Sequence, residues 1–158
     1  MSDSHEAFMR RAIELAQEGI DQNQGGPFGC VVVKDGRIIG EGCNRVTSTN
    51  DPSAHAEIVA MREACRNLKT FQLDGCSIYT SCEPCPMCLG AIYWARPAEV
   101  FFAGTREDAA AAGFDDDMIY VELEKPNAER QRPMKNLMRG EAVEVFRHWL
   151  EKPDKVEY

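Results

Sequence analysis

The sequence has no apolar run of the roughly 18 residues that a membrane span needs, and its first twelve residues, MSDSHEAFMRRA, lack the apolar core of an export signal. No internal repeat or low-complexity tract is present. Basic residues are in the minority, since 18 Lys and Arg stand against 26 Asp and Glu for a formal net charge of −8. A surface of this charge is poorly suited to phosphate backbones. We therefore expect no membrane association, no export and no nucleic-acid partner.

The chain has the size and composition of one ordinary globular domain. Its 158 residues are 44% hydrophobic and 28% charged. A chain of about 150 residues buries roughly 70% of its unfolded surface, so it needs no disulfide framework. The seven cysteines are an odd number, which favours free thiols used for packing or metal binding in a reducing compartment. We expect a cytoplasmic protein.

The pattern of apolar and turn residues predicts an α/β fold. The segment Asp35-Gly36 joins two β-branched, apolar stretches and is a strong hairpin signal. A later strand, helix and strand follow one another within about 27 residues, which implies a right-handed parallel crossover. A hairpin and a crossover together make a mixed sheet with helices on its faces. The predicted strands are 28–34, 37–44, 77–81 and 99–103, and the predicted helices are 3–19, 53–68 and 85–93, with further helical segments at 109–112, 118–123 and 141–150.

Two of the predicted helices carry a recognisable start signal. Asp3 is followed three residues later by Glu6, which resembles a capping box at the start of the first helix. Asp51 precedes Pro52, a pair typical of a helix cap followed by proline at the first helical position. On this basis we expect the second long helix to begin near Ser53.

Two short motifs indicate metal chemistry when they are taken together. The first is His-Ala-Glu at 55–57, and the second is Pro-Cys-Pro-Met-Cys at 84–88. Zn²⁺ binds imidazole nitrogen and thiolate sulfur, and a catalytic zinc keeps one of its four positions open for water. Cys85 and Cys88, three residues apart, can point at one ion from the first turn of a helix, and His55 supplies a third ligand. Glu57, which is not needed as a ligand, can then move protons beside a bound water.

The spacing of His55 and Glu57 poses a geometric difficulty. On an ideal helix, residues two apart point about 200° away from each other. Both side chains can therefore reach one pocket only if the site lies around the amino-terminal end of that helix.

The combination of H-x-E with P-C-x-x-C is the signature of zinc-dependent nucleobase deaminases. The chain resembles the cytidine-deaminase-like superfamily and, within it, the small bacterial guanine deaminases over nearly its full length. The resemblance implies a single zinc deaminase domain over 1–158, built as a three-layer α-β-α sandwich around a mixed five-stranded sheet. The stretches that carry it are GGPFG (25–29), DPSAHAE (51–57), YTSCEPCPMCLGAIYWARP (79–97), GFDDDMIY (113–120) and the terminal Glu157-Tyr158.

The resemblance also implies a reaction and a set of site residues. In such enzymes each subunit binds one zinc ion. Hydroxide on this ion attacks C2 of guanine, a small purine base, and the products are xanthine and ammonia. By this analogy His55, Cys85 and Cys88 hold the metal, while Glu57 is the proton shuttle and Asp116 assists the departing amine. The implied substrate-binding residues include Phe28 and Trp94, which form aromatic walls, and Asn44 and Asp116, which hydrogen-bond to the polar edge of the base. The backbone of Ala56 also contributes, and Tyr158 closes the pocket.

The same resemblance implies a homodimer in which the C-terminal segment, about 127–158, crosses to the partner subunit. Tyr158 would then complete the partner's pocket. If the segment instead packs on its own subunit, Tyr158 would close the pocket of its own chain.

Several alternatives are consistent with the residues alone. Phe28 and Trp94 could be ordinary core residues, Asn44 could cap a turn, and Asp116 could lie in a solvated acidic loop. A tRNA adenosine deaminase carries nearly the same motifs, and deaminases of cytosine or of another small aminoheterocycle share the zinc chemistry. A structural zinc module would close the site with Cys82 as a fourth ligand.

Overall fold

The structure is a computed structural model that describes residues 2–158, with side chains from Ser4 onward. The capping role predicted for Asp3 concerns a side chain outside the described part. The described residues form four strands, seven α-helices and a 3₁₀ turn at Asn127–Glu129. The elements are α1 (Ser2–Asp21), β1 (Gly29–Lys34), β2 (Arg37–Cys43), α2 (Val46–Thr49), α3 (Ala56–Leu68), β3 (Ser77–Cys82), α4 (Pro86–Ala95), β4 (Glu99–Gly104), α5 (Arg106–Ala111), α6 (Asp117–Glu124) and α7 (Arg139–Glu151).

The four strands form one mixed sheet in the order β2-β1-β3-β4. Strand β1 is antiparallel to both β2 and β3, whereas β3 and β4 run parallel and are joined through α4. The predicted hairpin is confirmed, because Asp35 and Gly36 adopt φ values of 49° and 73° and so turn the chain from β1 to β2. The predicted parallel crossover is also confirmed.

The expectation of five strands is wrong for the residues that the structure describes. After β4 the Thr105 side chain accepts a hydrogen bond from the backbone of Asp108, whose side chain accepts in return from the backbone of Thr105. This capping box starts α5 at once. From residue 106 onward the regular elements are all helical, so no fifth strand pairs with β4. The three-layer arrangement stays a prediction.

Strand β1 supports a different apolar cluster on each of its faces. Val31 and Val33 pack with Leu15 and Tyr79, whereas Cys30 and Val32 belong to a cluster with residues of α3 and α4. This division follows from the alternation of side chains along a strand.

Glycines in β2 allow α3 to lie directly on the sheet. A Cβ at Gly42 would stand 2.5 Å from the carbonyl oxygen of Ala56, and one at Gly40 would stand 2.4 Å from that of Ala60. No side chain larger than hydrogen fits at either position without displacing the helix backbone. These contacts fix the amino-terminal end of α3, which carries the first of the two motifs.

The chain divides into two compact units, residues 2–116 and residues 117–158. In the second unit Glu122 organises the turn after α6, because its carboxylate accepts from the backbone N–H of Gln131 at 2.6 Å and its carbonyl accepts from Arg130 at 2.9 Å.

The helices predicted at 118–123 and 141–150 are confirmed as α6 and α7, and the segment at 109–112 overlaps α5. The short helix α2 was not predicted. Among residues 2–158, no helix has both the length and the apolar character to cross a bilayer.

Candidate metal centre and active site

The first motif lies where an extended loop becomes α3. Asp51 does not cap the helix, contrary to expectation: its carboxylate accepts from the backbone N–H of Ser53 at 2.8 Å and from its hydroxyl at 2.7 Å. This local turn keeps residues 53–55 out of the helix. The N-cap is His55, in an extended conformation with φ −68° and ψ 157°, and the helix begins at Ala56.

This late helix start resolves the geometric difficulty of the motif. His55 precedes the helix, so the 200° separation that an ideal helix imposes on it and Glu57 does not apply. Glu57 lies in the first turn of α3. Both side chains can therefore face the same space at the amino-terminal end of the helix.

The second motif is built in the same way at the start of α4. Cys85 is the N-cap, with φ −67° and ψ 168°, and Pro86 occupies the first helical turn. Proline is favoured there because its missing N–H has no acceptor within the helix. Cys88 follows within the first turn and is fully buried. The amino-terminal ends of α3 and α4 thus carry the one histidine and the two cysteines of the two motifs.

The three side chains meet in a single cluster. One ligand atom from each of His55, Cys85 and Cys88 lies within 4.8 Å of the others. The Nδ1 atom of His55 is 3.5 Å from each of the two sulfur atoms. Tetrahedral zinc, with Zn–S near 2.3 Å and Zn–N near 2.0–2.1 Å, places nitrogen and sulfur ligands about 3.6 Å apart. The separations and the soft donor set therefore fit Zn²⁺.

Cys82 is not a member of this cluster. Its thiol instead donates to the carbonyl oxygen of Thr105 at 3.6 Å. Burial raises the pKa of Cys82 to about 11, so the group is a neutral thiol at physiological pH. The arrangement has three protein ligands and favours an open site over a closed four-ligand one.

The cluster stabilises negative charge on the sulfur of Cys85, whereas the hydrogen bond to Cys85 and burial raise the pKa of Cys88. Hydrogen bonds from Cys88 and His55 lower the pKa of Cys85 to about 4. The pKa of His55 is raised in turn, chiefly by its hydrogen bond to Cys85. A thiolate is the form of cysteine that binds metal, so this cluster is prepared for a cation.

Glu57 is buried beside the cluster but is not one of its ligands. The side chain is only 6% exposed, and burial raises its pKa. Its Oε2 accepts from the Cys88 thiol at 3.4 Å, and its Oε1 accepts from the Thr80 hydroxyl at 3.4 Å. A buried carboxyl group with a raised pKa, next to a metal centre, is suited to proton transfer.

Asn44 is buried next to a pair of glycines. Its Oδ1 accepts from the backbone N–H groups of Gly26, at 3.2 Å, and Val46, at 3.1 Å. A Cβ at Gly25 would stand 2.3 Å from that oxygen, which is too close for any side chain. The turn-capping interpretation of Asn44 is thus confirmed for its oxygen, and its amide nitrogen offers only hydrogen-bond donors.

Two phenylalanines form an aromatic corner in the same unit. Phe28 is half-buried and packs edge-on against Phe114, with ring centroids 5.0 Å apart. Phe114 is 44% exposed. Phe114 was not among the predicted site residues, although it lies in the stretch GFDDDMIY that carries the resemblance.

The surroundings of Asp116 disfavour negative charge on its carboxyl group. It is half-buried, and its pKa is raised mainly by burial and also by the negative charge of Cys85. Its neighbours Asp115 and Asp117 are exposed, as expected. The triple-aspartate run therefore contains one member that differs from an ordinary solvated loop.

The remaining candidate residues have diverse surroundings. Ala56 is fully buried at the first position of α3, where a backbone N–H has no acceptor within the helix. Trp94 lies in α4 and is 61% exposed, and Tyr158, at the end of the second unit, is 70% exposed. The substrate-binding roles of these three residues stay predictions.

Thr80, which contacts Glu57, was not predicted as a site residue. A polar residue at an inward position of a buried strand was a signal that could have found it.

Fold and site together define a zinc-dependent deaminase, and comparison with known proteins agrees. The model of the cytidine and deoxycytidylate deaminase zinc-binding region matches residues 2–104, and the chain belongs to this family. Guanine deaminase from Bacillus subtilis (strain 168) is 56% identical over 98% of this chain and 99% of its own length. The X-ray structure of Bacillus subtilis guanine deaminase superimposes with a TM-score of 0.95 over 98% of each chain.

A more distant relative represents one of the alternatives. The tRNA-specific adenosine deaminase of Buchnera aphidicola subsp. Schizaphis graminum (strain Sg) is 34% identical over 90% of this chain and 91% of its own length. The predicted resemblance to small bacterial guanine deaminases is confirmed, because the similarity to the Bacillus protein is much higher and includes the C-terminal region.

Proposed function

We propose that this protein hydrolyses guanine to xanthine and ammonia with the help of one zinc ion per subunit. The observation that carries the proposal is the His55, Cys85 and Cys88 cluster with the buried, non-ligating Glu57 beside it. This site occurs in a chain that is 56% identical to a guanine deaminase over 98% of its length. A structural zinc site would leave a buried acid of this kind without a task.

The chain's own residues divide the work of the reaction. His55, Cys85 and Cys88 would hold Zn²⁺, which would supply a Lewis acid that lowers the pKa of water to about 7. Glu57 removes one proton from the attacking water and transfers it to a ring nitrogen of the purine as the new C2–O bond forms. The second proton of the water then moves to the exocyclic nitrogen, the bond from C2 to that nitrogen breaks, and ammonia leaves as the C2 carbonyl of xanthine forms. Asp116, whose raised pKa lets it hold a proton more readily, assists the departing amine.

Recognition of the purine relies on a flat space with polar edges. Phe28 and Trp94 serve as the aromatic walls, and the edge-on contact of Phe114 holds the Phe28 ring in position. Asn44 contributes the N–H donors of its side-chain amide to the purine, because its side-chain oxygen already accepts from two backbone N–H groups. The backbone N–H of Ala56 supplies a further donor at the amino-terminal end of α3.

A substrate panel tests the assignment. Ammonia release should be fastest with guanine, and kcat/KM for adenine, cytosine, guanosine and a tRNA anticodon stem-loop should be lower by about 10⁴-fold, because unpaired polar groups strongly disfavour the wrong ligand. The net charge of −8 also disfavours the stem-loop. Preference for the stem-loop or for cytosine would overturn the substrate assignment and leave the metal assignment intact.

We further propose a homodimer in which segment 127–158 closes the partner's site through Tyr158. Helix α7 exposes Val145, Phe146 and Leu150 by 65–68%, a large apolar surface for one helix. Strand β4 is the edge of its sheet and exposes Phe102 by 49%. An apolar edge strand is a surface that proteins normally cover. Packing of the segment on a second copy would bury such surfaces.

Subunit complementation tests whether Tyr158 acts across the dimer. A Glu57→Gln subunit and a subunit lacking Tyr158 should each be poorly active alone, with zinc retained in both. After unfolding and refolding together, mixed dimers should regain activity, because one site then combines an intact Glu57 with Tyr158 of the other chain. Remixed samples that stay inactive despite forming mixed dimers would show that Tyr158 acts within its own chain.

We place the protein in a reducing compartment, such as the cytoplasm. All seven cysteines are free thiols, and three of them, Cys30, Cys76 and Cys88, are buried. Thiols persist in this state where the redox potential disfavours disulfides.

A further inference from the structure

Thr80 is a buried polar residue that contacts the proposed proton shuttle. It lies in β3 and is only 1% exposed. Its hydroxyl oxygen stands between two acceptors, 3.0 Å from the carbonyl oxygen of Cys82 and 3.4 Å from Oε1 of Glu57. The other carboxyl oxygen of Glu57, Oε2, accepts from the Cys88 thiol at 3.4 Å, so the two oxygens have different partners.

The backbone around Thr80 is held firmly. In the sheet it is aligned with Cys30 on β1 and with Phe102 on β4. A residue in the interior of a sheet has little backbone freedom, because both neighbouring strands hold it through the hydrogen-bond ladders. The orientation of the hydroxyl hydrogen is therefore the main freedom left to the polar part of this residue.

The Thr80 hydroxyl gives one oxygen of Glu57 a fixed partner. Its single donor hydrogen can rotate between the Cys82 carbonyl oxygen and Oε1 of Glu57. A hydrogen bond at Oε1 restrains rotation of the carboxyl group and so keeps Oε2 beside the Cys88 thiol.

We propose that Thr80 is a positioning residue that holds Oε1 of Glu57, so that Oε2 stays directed toward the metal cluster. This inference rests on the proposed function, because it assumes that Glu57 moves protons. Without the hydroxyl, a buried carboxyl oxygen loses a partner and the carboxyl group can rotate away. Loss of orientation lowers the rate of proton transfer and leaves substrate affinity largely unchanged.

Two substitutions at Thr80 separate the hydroxyl from the volume of the side chain. Thr80→Val keeps the shape and removes the hydroxyl, and should lower kcat by about 10–100-fold, the range found for residues that orient a metal site. KM and zinc content should stay close to those of the wild type. Thr80→Ser restores a hydroxyl and should restore most of kcat. Thr70→Val removes an exposed threonine hydroxyl that accepts from the backbone of Gln72 and should leave kcat unchanged.

A purely structural role would give a different result. It would lower zinc content or raise KM, and Thr80→Ser would not selectively restore kcat. If Thr80→Val does not fold, Thr80→Ala should show the same loss of kcat. A kcat equal to that of the wild type in a folded, zinc-loaded Thr80→Val or Thr80→Ala protein would overturn the proposal.

A double-mutant cycle with Glu57→Gln tests the link to that residue without relying on turnover alone. Thr80→Val should lower kcat in the wild type and cause no further loss in Glu57→Gln. Unfolding of the four zinc-loaded proteins should likewise give a non-zero interaction free energy between the two side chains. Additive effects in both measurements would overturn the proposal. Failure of the wild type to release ammonia from guanine would instead count against the proposed function.

Discussion

Glu57→Gln is expected to lower kcat for guanine by about 10²–10⁴-fold, the contribution of a well-placed proton-transfer group. Glutamine has nearly the same size as glutamate and can still accept from the Thr80 hydroxyl, but it cannot take up a proton at neutral pH. The three metal ligands are unchanged, so zinc content should equal that of the wild type. Steady-state ammonia release and metal analysis on the same preparation measure both quantities.

A matched control lies on the same helix. Glu63 is half-buried in α3, and its carboxylate accepts from the backbone N–H of Glu41 at 2.6 Å. Glu63→Gln removes the same charge and keeps an acceptor, so kcat should stay close to that of the wild type. A Glu57→Gln protein with wild-type turnover would remove Glu57 from the reaction, whereas loss of its zinc would indicate that Glu57 is a ligand.

Cys85→Ser is expected to reduce zinc from one ion per chain to nearly none and to abolish turnover. A catalytic zinc site has three protein ligands, and a serine hydroxyl does not replace a thiolate as a soft donor. The pKa of Cys85, lowered to about 4, shows that the surrounding groups favour its charged form. Thermal unfolding should also occur at a lower temperature, because metal binding contributes to folding free energy.

Cys82→Ala is the matched control for the metal site. Cys82 precedes Cys85 by three residues, and its thiol contacts the carbonyl of Thr105 rather than the cluster. Zinc content and kcat should therefore remain near the wild-type values. If Cys82→Ala lost zinc as completely as Cys85→Ser, the site would be a closed one with four protein ligands, and the deaminase mechanism would fail.

The ligand types were predictable because zinc chemistry restricts them so strongly. A histidine and two cysteines spaced by three residues, with a spare glutamate, leave few functional interpretations. The hairpin at Asp35-Gly36 was equally predictable, since few residue pairs tolerate φ values of 49° and 73° together. The ligand types and the hairpin could be predicted because the types and spacing of a few neighbouring residues determine them.

Features that depend on competing local contacts were predicted less well. The Asp51-Pro52 pair favours a helix start, yet hydrogen bonds from Ser53 to Asp51 form a local turn, and the helix begins only after His55. The fifth strand expected from the family resemblance is absent among residues 2–158, because the Thr105 capping box turns the chain into a helix directly after β4. Both corrections arise from side-chain hydrogen bonds to the backbone.

By itself, the sequence determined the ligand set, the hairpin, the parallel crossover and the likeness to guanine deaminases, since each is written in residue types and short spacings. Only the tertiary structure decided that His55 and Glu57 face one space, and that Thr80 lies against Glu57. It also separated Cys82 from the cluster. The physical reason is that side chains distant in sequence meet through the packing of α3 and α4 on the sheet, and no local pattern encodes that distance or angle.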